Sequence, residues 1–222
     1  SVSFSLKESL KNARIAIAYS GGLDSSVLLH LAHRFAIEND CALFAFHVHH
    51  GLNPHADDWL AHCENECIRL GVSFDSLRGQ IDPQSGDGIE AEAREKRYRA
   101  LGEMCRKHDI PLLLTAHHED DQVETVLLQL MRGAGVAGLS GMEASSHSPE
   151  LLGDETLVLG RPLLSVSRKE LASWLVKAGV THIDDDSNDD VAYTRNAIRH
   201  RLVPVLEDLF PGFQKRLSRT AQ

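Results

Sequence analysis

The chain has 222 residues, of which 42% are hydrophobic and 25% are charged, and its formal net charge at pH 7 is −9. This hydrophobic share is enough for a folded core and excludes wholesale disorder. No apolar run approaches the roughly 18 residues that span a bilayer. The first residues show no basic segment followed by an apolar one, so no signal peptide is visible and a cytoplasmic location is predicted. The acidic balance argues against a protein that covers nucleic acid with a uniformly basic surface.

Short apolar runs alternate with segments of helical spacing over the first 132 residues. The runs predict strands at residues 13–19, 41–48, 72–78 and 110–116. The spaced segments predict helices at residues 24–38, 54–70, 88–106 and 120–132. Such alternation predicts a parallel sheet covered by helices on both faces, which is an α/β doubly wound fold of about five strands.

The pattern changes after Gly133. We expect a glycine-rich loop, a polar loop at 144–155, a further strand at 156–164, a helix opened by the capping box Ser167–Glu170, an acidic loop at 184–190, a basic helix at 195–210 and an amphipathic helix from 213. These features predict a catalytic domain at 1–142, a linking segment at 143–164 and a helical extension at 165–222 that continues further.

The four cysteines, Cys41, Cys63, Cys67 and Cys105, form no C-x-x-C pair. Without a secretory signal, we expect them to be reduced and mostly buried. The absence of a close thiolate pair argues against a zinc or iron–sulfur site.

The segment from Ser20 to Ser25 (SGGLDS) follows the first strand directly and opens the first helix. Its two glycines allow a tight turn that brings backbone N–H groups close to an anion, and the helix N-terminus adds partial positive charge. This is a phosphate-binding arrangement. It is not a Walker A loop, because the G-x-x-x-x-G-K-[ST] pattern is absent.

A second polar segment, TAHHEDDQVET, follows the fourth strand at residues 115–125. On a helix that starts near Glu119, Asp121 and Glu124 share one face. Acids in a first helical turn also complement the helix dipole, so this bland interpretation stays open. Since His117 and His118 precede them at the sheet edge where the phosphate loop is expected, we favour a functional site. Mg²⁺ held by a carboxylate and ATP phosphates is preferred over a His₂-carboxylate metal site.

Two other sequence patterns give weaker indications of function. His47 and His49 point to one side of the second strand, which fits a metal pair, a nucleotide-pocket wall or a plain rim position; we prefer the pocket wall. Residues 133–138 match G-x-G-x-x-G but follow a helix, so the dinucleotide-binding interpretation fails, and a flexible loop over the active site is expected.

Basic residues cluster in two places. Residues 91–107 contain six Lys or Arg against three Glu, and residues 195–219 contain six against two acids. Each cluster is either a solvated helix face or a surface for phosphate groups.

SGGLDS resembles the PP-loop of the ATP pyrophosphatase superfamily. Further segments resemble bacterial tRNA(Ile)-lysidine synthetases: HVHHGL (47–52), EAEAREKRYRAL (90–101), TAHHEDDQVETVLLQLMRGAGVAGLSGM (115–142), RPLLSVSRKEL (161–171) and DDSNDDVAYTRNAIRHRLVPVL (185–206). The resemblance implies that ATP adenylates the C2 oxygen of the wobble cytidine and that the lysine ε-amine then displaces AMP to give lysidine. The implied cofactors are ATP and Mg²⁺, and the implied partners are L-lysine and tRNA(Ile) with a CAU anticodon. No membrane is implied, and a homodimer is left open.

The resemblance also implies roles for residues. Ser20, Gly21, Gly22, Leu23, Asp24 and Ser25 would bind ATP, with Asp24 also a Mg²⁺ ligand. Arg97 would contact cytidine or developing phosphate charge, while His117, Asp121 and Glu124 would hold and deprotonate the ammonium of lysine. The RNA-binding candidates are Arg94, Arg132, Arg195 and Arg199, with His200 beside them. The resemblance further implies that tRNA-binding domains follow the helical extension.

The sequence departs from the family pattern at two positions in and just after HVHHGL. His49 stands where Asn is expected, and Asn53 stands where a basic residue is expected. The contacts on the adenine side and in the loop depend on these positions. Three rival hypotheses stay open: another PP-loop tRNA enzyme such as a 2-thiocytidine synthetase, an amidotransferase-linked synthesis of NAD or GMP, and an ATP-binding module without turnover. The lack of a close cysteine pair argues against the thiolation enzyme.

Overall fold

The computed structural model describes residues 12–49, 54–78, 89–135, 139–184, 191 and 194–220. The chain divides into two compact units. Unit 1 consists of Ser1–Thr115, Ser145–Gly160 and Thr181–Ile183, and unit 2 consists of Ala116–Ala144, Arg161–Val180 and Asp184–Gln222.

A six-stranded sheet forms the centre of unit 1. Its strands are β1 (Arg14–Ala18), β2 (Ala42–His49), β3 (Ser73–Arg78), β4 (Leu112–Leu114), β5 (Ser145–His147) and β6 (Val158–Gly160). Their spatial order is β3-β2-β1-β4-β6-β5, and all neighbours are parallel except the edge pair β5 and β6. The predicted doubly wound α/β fold is confirmed, with six strands where about five were expected.

The helices, numbered along the whole chain, are α1 (Leu23–Asn39), α2 (Ala56–Leu70), α3 (Ile89–Lys107), α4 (Glu119–Met131), α5 (Pro149–Leu152), α6 (Arg168–Ala178), α7 (Thr194–Ala197), α8 (Val203–Leu209) and α9 (Phe213–Thr220), with a π-helical turn (Ile198–Leu202) between α7 and α8. Unit 1 contains α1, α2, α3 and α5, and unit 2 contains the others.

Helices cover both faces of the unit 1 sheet. Ala16 and Phe46 are fully buried in one cluster with Leu101 and Met104 of α3 and Leu152 of α5. Side chains alternate across a strand, so the neighbours of Ala16 on β1 face the opposite side, where α1 contacts both β1 and β2. A strand buried on both faces is apolar throughout, which is why the run at β1 shows no alternation.

The chain changes direction across the sheet between β1 and β4. From β1 it passes through α1 to β2, which lies on one side of β1. The strand β4 lies on the other side of β1, and β6 lies next to β4. In open α/β sheets, ligands bind outside the carboxyl ends of the strands at such a switch point. The segment SGGLDS follows β1 at this position.

The structure corrects the expected polar loop at residues 144–155, because β5 and α5 lie there. A Cβ atom added to Gly102 of α3 would lie 2.0 Å from the carbonyl oxygen of Leu152, so the two helices meet backbone to backbone. Leu152 is fully buried. These short elements depend on tertiary contacts, which a polar local sequence does not reveal.

Unit 2 has a small core of its own. Val123 and Leu127 of α4 pack with Ile198 of the π turn, and Phe213 and Leu217 of α9 pack against them. The predicted capping box of α6 is confirmed: the Glu170 N–H donates to Ser167 Oγ at 3.3 Å, and the Ser167 N–H donates to Glu170 Oε2 at 3.0 Å.

The predicted basic helix at 195–210 is interrupted by the π turn. Pro204 has no N–H, and its ring clashes with the carbonyl four residues earlier, that of His200. A widened turn before the proline relieves this clash. The acidic loop expected at 184–190 lies, from residue 185 on, outside the described residues. Within the described ranges, no helix has the length and apolar character needed to cross a membrane.

Candidate functional site

The glycine-rich turn after β1 is held by its own hydroxyl groups. Ser25 Oγ donates to the Gly22 carbonyl at 3.0 Å and lies 3.0 Å from Ser20 Oγ. The backbone N–H of Ser20 donates to Ser25 Oγ at 3.3 Å, and Ser26 Oγ donates to the Gly21 carbonyl at 3.1 Å. These bonds fix the turn at the start of α1, where the first-turn N–H groups of a helix are available to an anion.

Gly21 is required by the backbone of this turn. Its φ is +85°, in the region that favours glycine. An added Cβ would lie 2.4 Å from Ile183 Cδ1 and 2.9 Å from Cys63 Sγ. Ile183 also donates its N–H to the Gly21 carbonyl at 2.9 Å and forms a parallel bridge with Gly22. The contact with Ile183, over 160 positions along the chain, was not predicted from sequence, because it depends on the path of the chain.

Asp24 lies in the first turn of α1, next to Leu23 and Ser25, and is partly exposed. Since this places one carboxylate beside a phosphate-binding turn, it suits the coordination of a cation that also binds phosphate. Among the described residues, no group of three or more His, Cys, Asp or Glu is arranged to hold a metal ion by itself. The donor set fits a cation that arrives with a phosphate ligand.

The second cluster lies in unit 2, at the start of α4. His118 is the residue before the helix, and its N–H donates to Asp121 Oδ2 at 3.0 Å. The ring of His118 is buried, with Nε2 3.5 Å from the same carboxylate oxygen. Asp121 therefore caps the helix, as acids in a first turn often do.

Glu124 is the most deeply buried carboxylate of this cluster, with a side chain 2% exposed. Arg199 Nε donates to its Oε1 at 2.6 Å. Arg195 Nε lies 3.0 Å from its Oε2, and Arg195 Nη2 donates to Thr125 Oγ1 at 2.9 Å. Arg199 Nη2 also lies 3.7 Å from Asp121 Oδ1, so one guanidinium reaches both carboxylates.

The electrostatic environments of the two acids differ. Burial acts to raise the pKa of Asp121, but the nearby imidazoles of His118 and His117 and the His118 N–H together lower that pKa below its ordinary value. Burial raises the pKa of Glu124 above its ordinary value, although the guanidinium of Arg199 opposes the rise. The two carboxylates of this cluster are thus chemically distinct.

The structure brings together three predicted residues in unit 2, His117, Asp121 and Glu124. Sequence reasoning missed the pairing of Asp121 and Glu124 with Arg195 and Arg199, two arginines that the sequence suggests as RNA contacts. A signal was present: two arginines four apart in TRNAIR share a helix face, and Glu124 was too deeply placed in an apolar helix to remain without a counter-charge.

The remaining predicted residues occupy helices. Arg94 and Arg97 lie on α3 of unit 1, where the Arg94 guanidinium stacks 4.9 Å from the ring centre of Tyr98 and Arg97 is exposed. Arg132 follows α4 and is exposed. Gly133, with φ +77°, ends that helix, which agrees with the rejection of a dinucleotide-binding motif; residues 136–138 lie outside the described ranges.

His47 and His49 are both buried. His47 Nδ1 lies 2.9 Å from the Tyr19 carbonyl, and burial lowers the pKa of this imidazole. His49 Nε2 lies 3.1 Å from Asp57 Oδ1, which also accepts from Arg78 Nη2 at 2.7 Å. These contacts tie the end of β2 to α2 and β3. Whether the end of β2 also forms a nucleotide-pocket wall stays a prediction.

The fold and the turn after β1 define a class: a doubly wound α/β protein with a glycine-rich phosphate loop at its switch point. The model of the PP-loop domain family matches residues 2–206. The chain belongs to the PP-loop family.

Three curated relatives of similar sequence carry the same name. The chain is 51% identical over 208 residues to the tRNA(Ile)-lysidine synthase of Burkholderia mallei, covering 94% of this chain and 41% of that protein. It is 44% identical over 216 residues to the protein of that name from Escherichia coli O157:H7, covering 97% and 48%. For the Coxiella burnetii protein of the same name the identity is 43%, covering 95% and 45%. The chain spans less than half the length of these curated relatives.

A solved structure is similar in fold. The U34-tRNA thiolase NcsA from Methanococcus maripaludis, determined with its [4Fe-4S] cluster, superposes with a TM-score of 0.76 and covers 95% of this chain and 72% of that chain. The sequence identity is 16%, so the comparison supports the fold alone.

Proposed function

We propose that this chain is the PP-loop part of a tRNA(Ile)-lysidine synthase, which uses ATP to join lysine to C2 of the wobble cytidine in tRNA(Ile) with a CAU anticodon. The observation that carries the proposal is the identity of 43–51% to proteins of that name across almost the whole chain. A cytoplasmic location, where tRNA is modified, belongs to the same proposal.

The turn at Ser20–Ser25 is the proposed ATP site. Its backbone N–H groups and the hydroxyls of Ser20 and Ser25 bind phosphate oxygens, and Asp24 binds the Mg²⁺ that accompanies ATP. Bound Mg²⁺ supplies charge neutralisation for the phosphates. The chain itself contributes orientation, because a turn fixed by its own hydrogen bonds would hold the phosphates of ATP in one position.

The reaction we propose has two balanced steps. In the first, the C2 oxygen of cytidine attacks the α-phosphorus of ATP; a phosphorus–oxygen bond forms, the bond between the α-phosphorus and its bridging oxygen breaks, and pyrophosphate leaves. In the second, the neutral ε-amine of lysine attacks C2, its surplus proton passes to a base, and AMP leaves with the former C2 oxygen.

The cluster of His117, Asp121 and Glu124 is the proposed lysine site. A carboxylate attracts the ammonium of lysine, and a neutral imidazole beside it accepts a proton when the amine is converted to a nucleophile. The pKa of Asp121 lies below its ordinary value, and the charged carboxylate is the form that binds an ammonium group.

Three arginines are proposed contacts of the RNA or of developing phosphate charge. Arg97 is assigned to cytidine or phosphate, and Arg94 and Arg132 to the RNA backbone. We also keep, as part of this proposal, a catalytic domain at 1–142, a linking segment at 143–164 and a helical extension at 165–222 that leads to further tRNA-binding domains.

Sulfur transfer is less favoured than lysine transfer. A thiol acts as a nucleophile through its thiolate. Burial raises the pKa values of Cys63, Cys67 and Cys105 well above the ordinary value. These three cysteines are therefore suited to packing rather than to chemistry.

The proposal is tested by incubating the chain with ATP, Mg²⁺, radiolabelled lysine and an unmodified transcript of the minor isoleucine tRNA. We expect label in RNA with an equal amount of AMP. Asp121→Ala should abolish label transfer while leaving ATP binding intact, and Asp208→Ala, which removes an exposed acid of the same unit, is the matched control. AMP formation without label in RNA would refute lysine as the nucleophile, and full transfer by Asp121→Ala would refute the assigned site.

A further inference from the structure

In unit 2, two carboxylates lie beside two guanidinium groups of opposite charge. Asp121 and Glu124 supply the carboxylates, and Arg195 and Arg199 supply the guanidinium groups, within 4 Å of them. Both oxygens of Glu124 are approached by an arginine, at 2.6 Å and 3.0 Å. A carboxylate 2% exposed needs such compensation, because an unpaired buried charge is strongly unfavourable.

Asp121 is held less closely by the arginines than Glu124 is. Its Oδ2 accepts the His118 N–H at 3.0 Å, whereas its Oδ1 lies 3.7 Å from Arg199 Nη2, which is beyond hydrogen-bond distance. Its side chain is 15% exposed, against 2% for Glu124. Of the two carboxylates, Asp121 is therefore the one that a small cation from solvent can reach.

The two arginines are supplied by one helical segment. Arg195 lies on α7 and Arg199 on the π turn that follows, and Ile198 between them is buried against Val123 and Leu127 of α4. This packing fixes the segment against α4, so both guanidinium groups are held over Glu124. π turns of this kind recur at functional sites.

We propose that Arg195 and Arg199 are positioning residues that act through Glu124: they hold its carboxylate in place and leave Asp121 to receive the substrate ammonium. The identity of that ammonium as lysine rests on the proposed function. This assignment replaces contact with the RNA backbone as the main role of these two arginines.

The consequence for catalysis follows from charge. With both arginines present, Glu124 is neutralised by its partners and only Asp121 attracts the incoming cation. Removing Arg199 leaves Glu124 with an unpaired oxygen, so Glu124 either takes up a proton or competes for the ammonium and draws the amine away from its productive position.

The test compares Arg199→Gln with Arg201→Gln, an exposed arginine on the same π turn. We expect Arg199→Gln to lower kcat/KM for lysine by about tenfold to a hundredfold, while tRNA affinity changes by less than about twofold. Arg201→Gln should leave the lysine constants unchanged. If Arg199→Gln instead weakens tRNA binding, reduces its salt dependence and spares the lysine constants, Arg199 is a backbone contact and the proposal is overturned.

A double-mutant cycle with Glu124→Gln provides the second test. If Arg199 acts through Glu124, the double variant should be no worse for lysine transfer than Glu124→Gln alone. Independent, multiplicative losses would contradict the proposal. Should Arg199→Gln fail to fold, Arg199→Lys keeps the charge but cannot reach both carboxylates, and it is expected to show the same lysine-specific loss. An inactive wild-type chain would count against the proposed function rather than against this inference.

Discussion

Gly21 combines two constraints in one residue, a positive φ and a lack of space for a side chain. We predict that Gly21→Ala lowers the free energy of unfolding by about 2–4 kcal/mol, because backbone strain adds to the clash with Ile183 and Cys63. Chemical denaturation measures this, and ATP affinity should fall with it.

Gly71 provides the matched control. It has φ +69°, yet nothing lies within 4 Å of an added Cβ. Gly71→Ala should therefore show only the backbone contribution, about 1 kcal/mol, and no change in ATP affinity. Equal losses of unfolding free energy for the two variants would contradict the proposed clash with Ile183 and Cys63.

Glu66 makes stability depend on pH. Hydrogen bonds from Arg69 lower its pKa, against the opposing effect of burial, and His30 Nε2 lies 2.8 Å from the same carboxylate. A carboxyl group whose pKa is lowered on folding stabilises the protein above its unfolded pKa of about 4.3, and the stabilisation is lost as the pH falls through the folded value.

We therefore predict that the difference in unfolding free energy between the wild type and Glu66→Gln shrinks as the pH falls from about 5 to about 3. Denaturation at a series of pH values measures it. Glu64→Gln, an exposed residue of the same helix, should give a constant difference close to zero. A parallel pair of curves for the wild type and Glu66→Gln would be inconsistent with this account.

At the scale of elements, local signals explain some boundaries completely. The capping box that starts α6 is formed by Ser167 and Glu170 alone. Ser167→Ala should lower the free energy of unfolding by about 1 kcal/mol, because one helix N–H loses its acceptor. Ser165→Ala, at an exposed position two residues earlier, should have little effect. The same loss in both variants would show that the cap does not stabilise α6.

Other elements depend on contacts that the local sequence does not contain. The helix α5 has four residues, and its stability comes from Leu152 packing against Gly102 of α3. A polar segment with two leucines gives no periodic signal over so short a length. The π turn at Ile198–Leu202 was equally invisible, although Pro204 indicated that a regular helix could not continue there.

At the scale of the molecule, the alternation of apolar runs and helical segments was sufficient to predict the doubly wound sheet. It predicted neither the antiparallel edge strand Ser145–His147 nor the attachment of Ile183 to Gly21. For the site, the acids and histidines were singled out because their residue types indicate chemistry, and their roles stay predictions. The pairing of Arg195 and Arg199 with Glu124 was not predicted, because a basic helix on its own does not reveal an internal partner; contact of these arginines with RNA stays a prediction.

The fate of one oxygen atom tests the proposed reaction most directly. The chain, ATP, Mg²⁺ and lysine are mixed with a tRNA(Ile) whose wobble cytidine carries heavy oxygen at C2, and the AMP is examined by mass spectrometry. Adenylation of the base predicts one heavy oxygen in each AMP released and one lysine joined to the RNA. AMP without the heavy oxygen would mean that another group is activated, and the proposed reaction would be wrong.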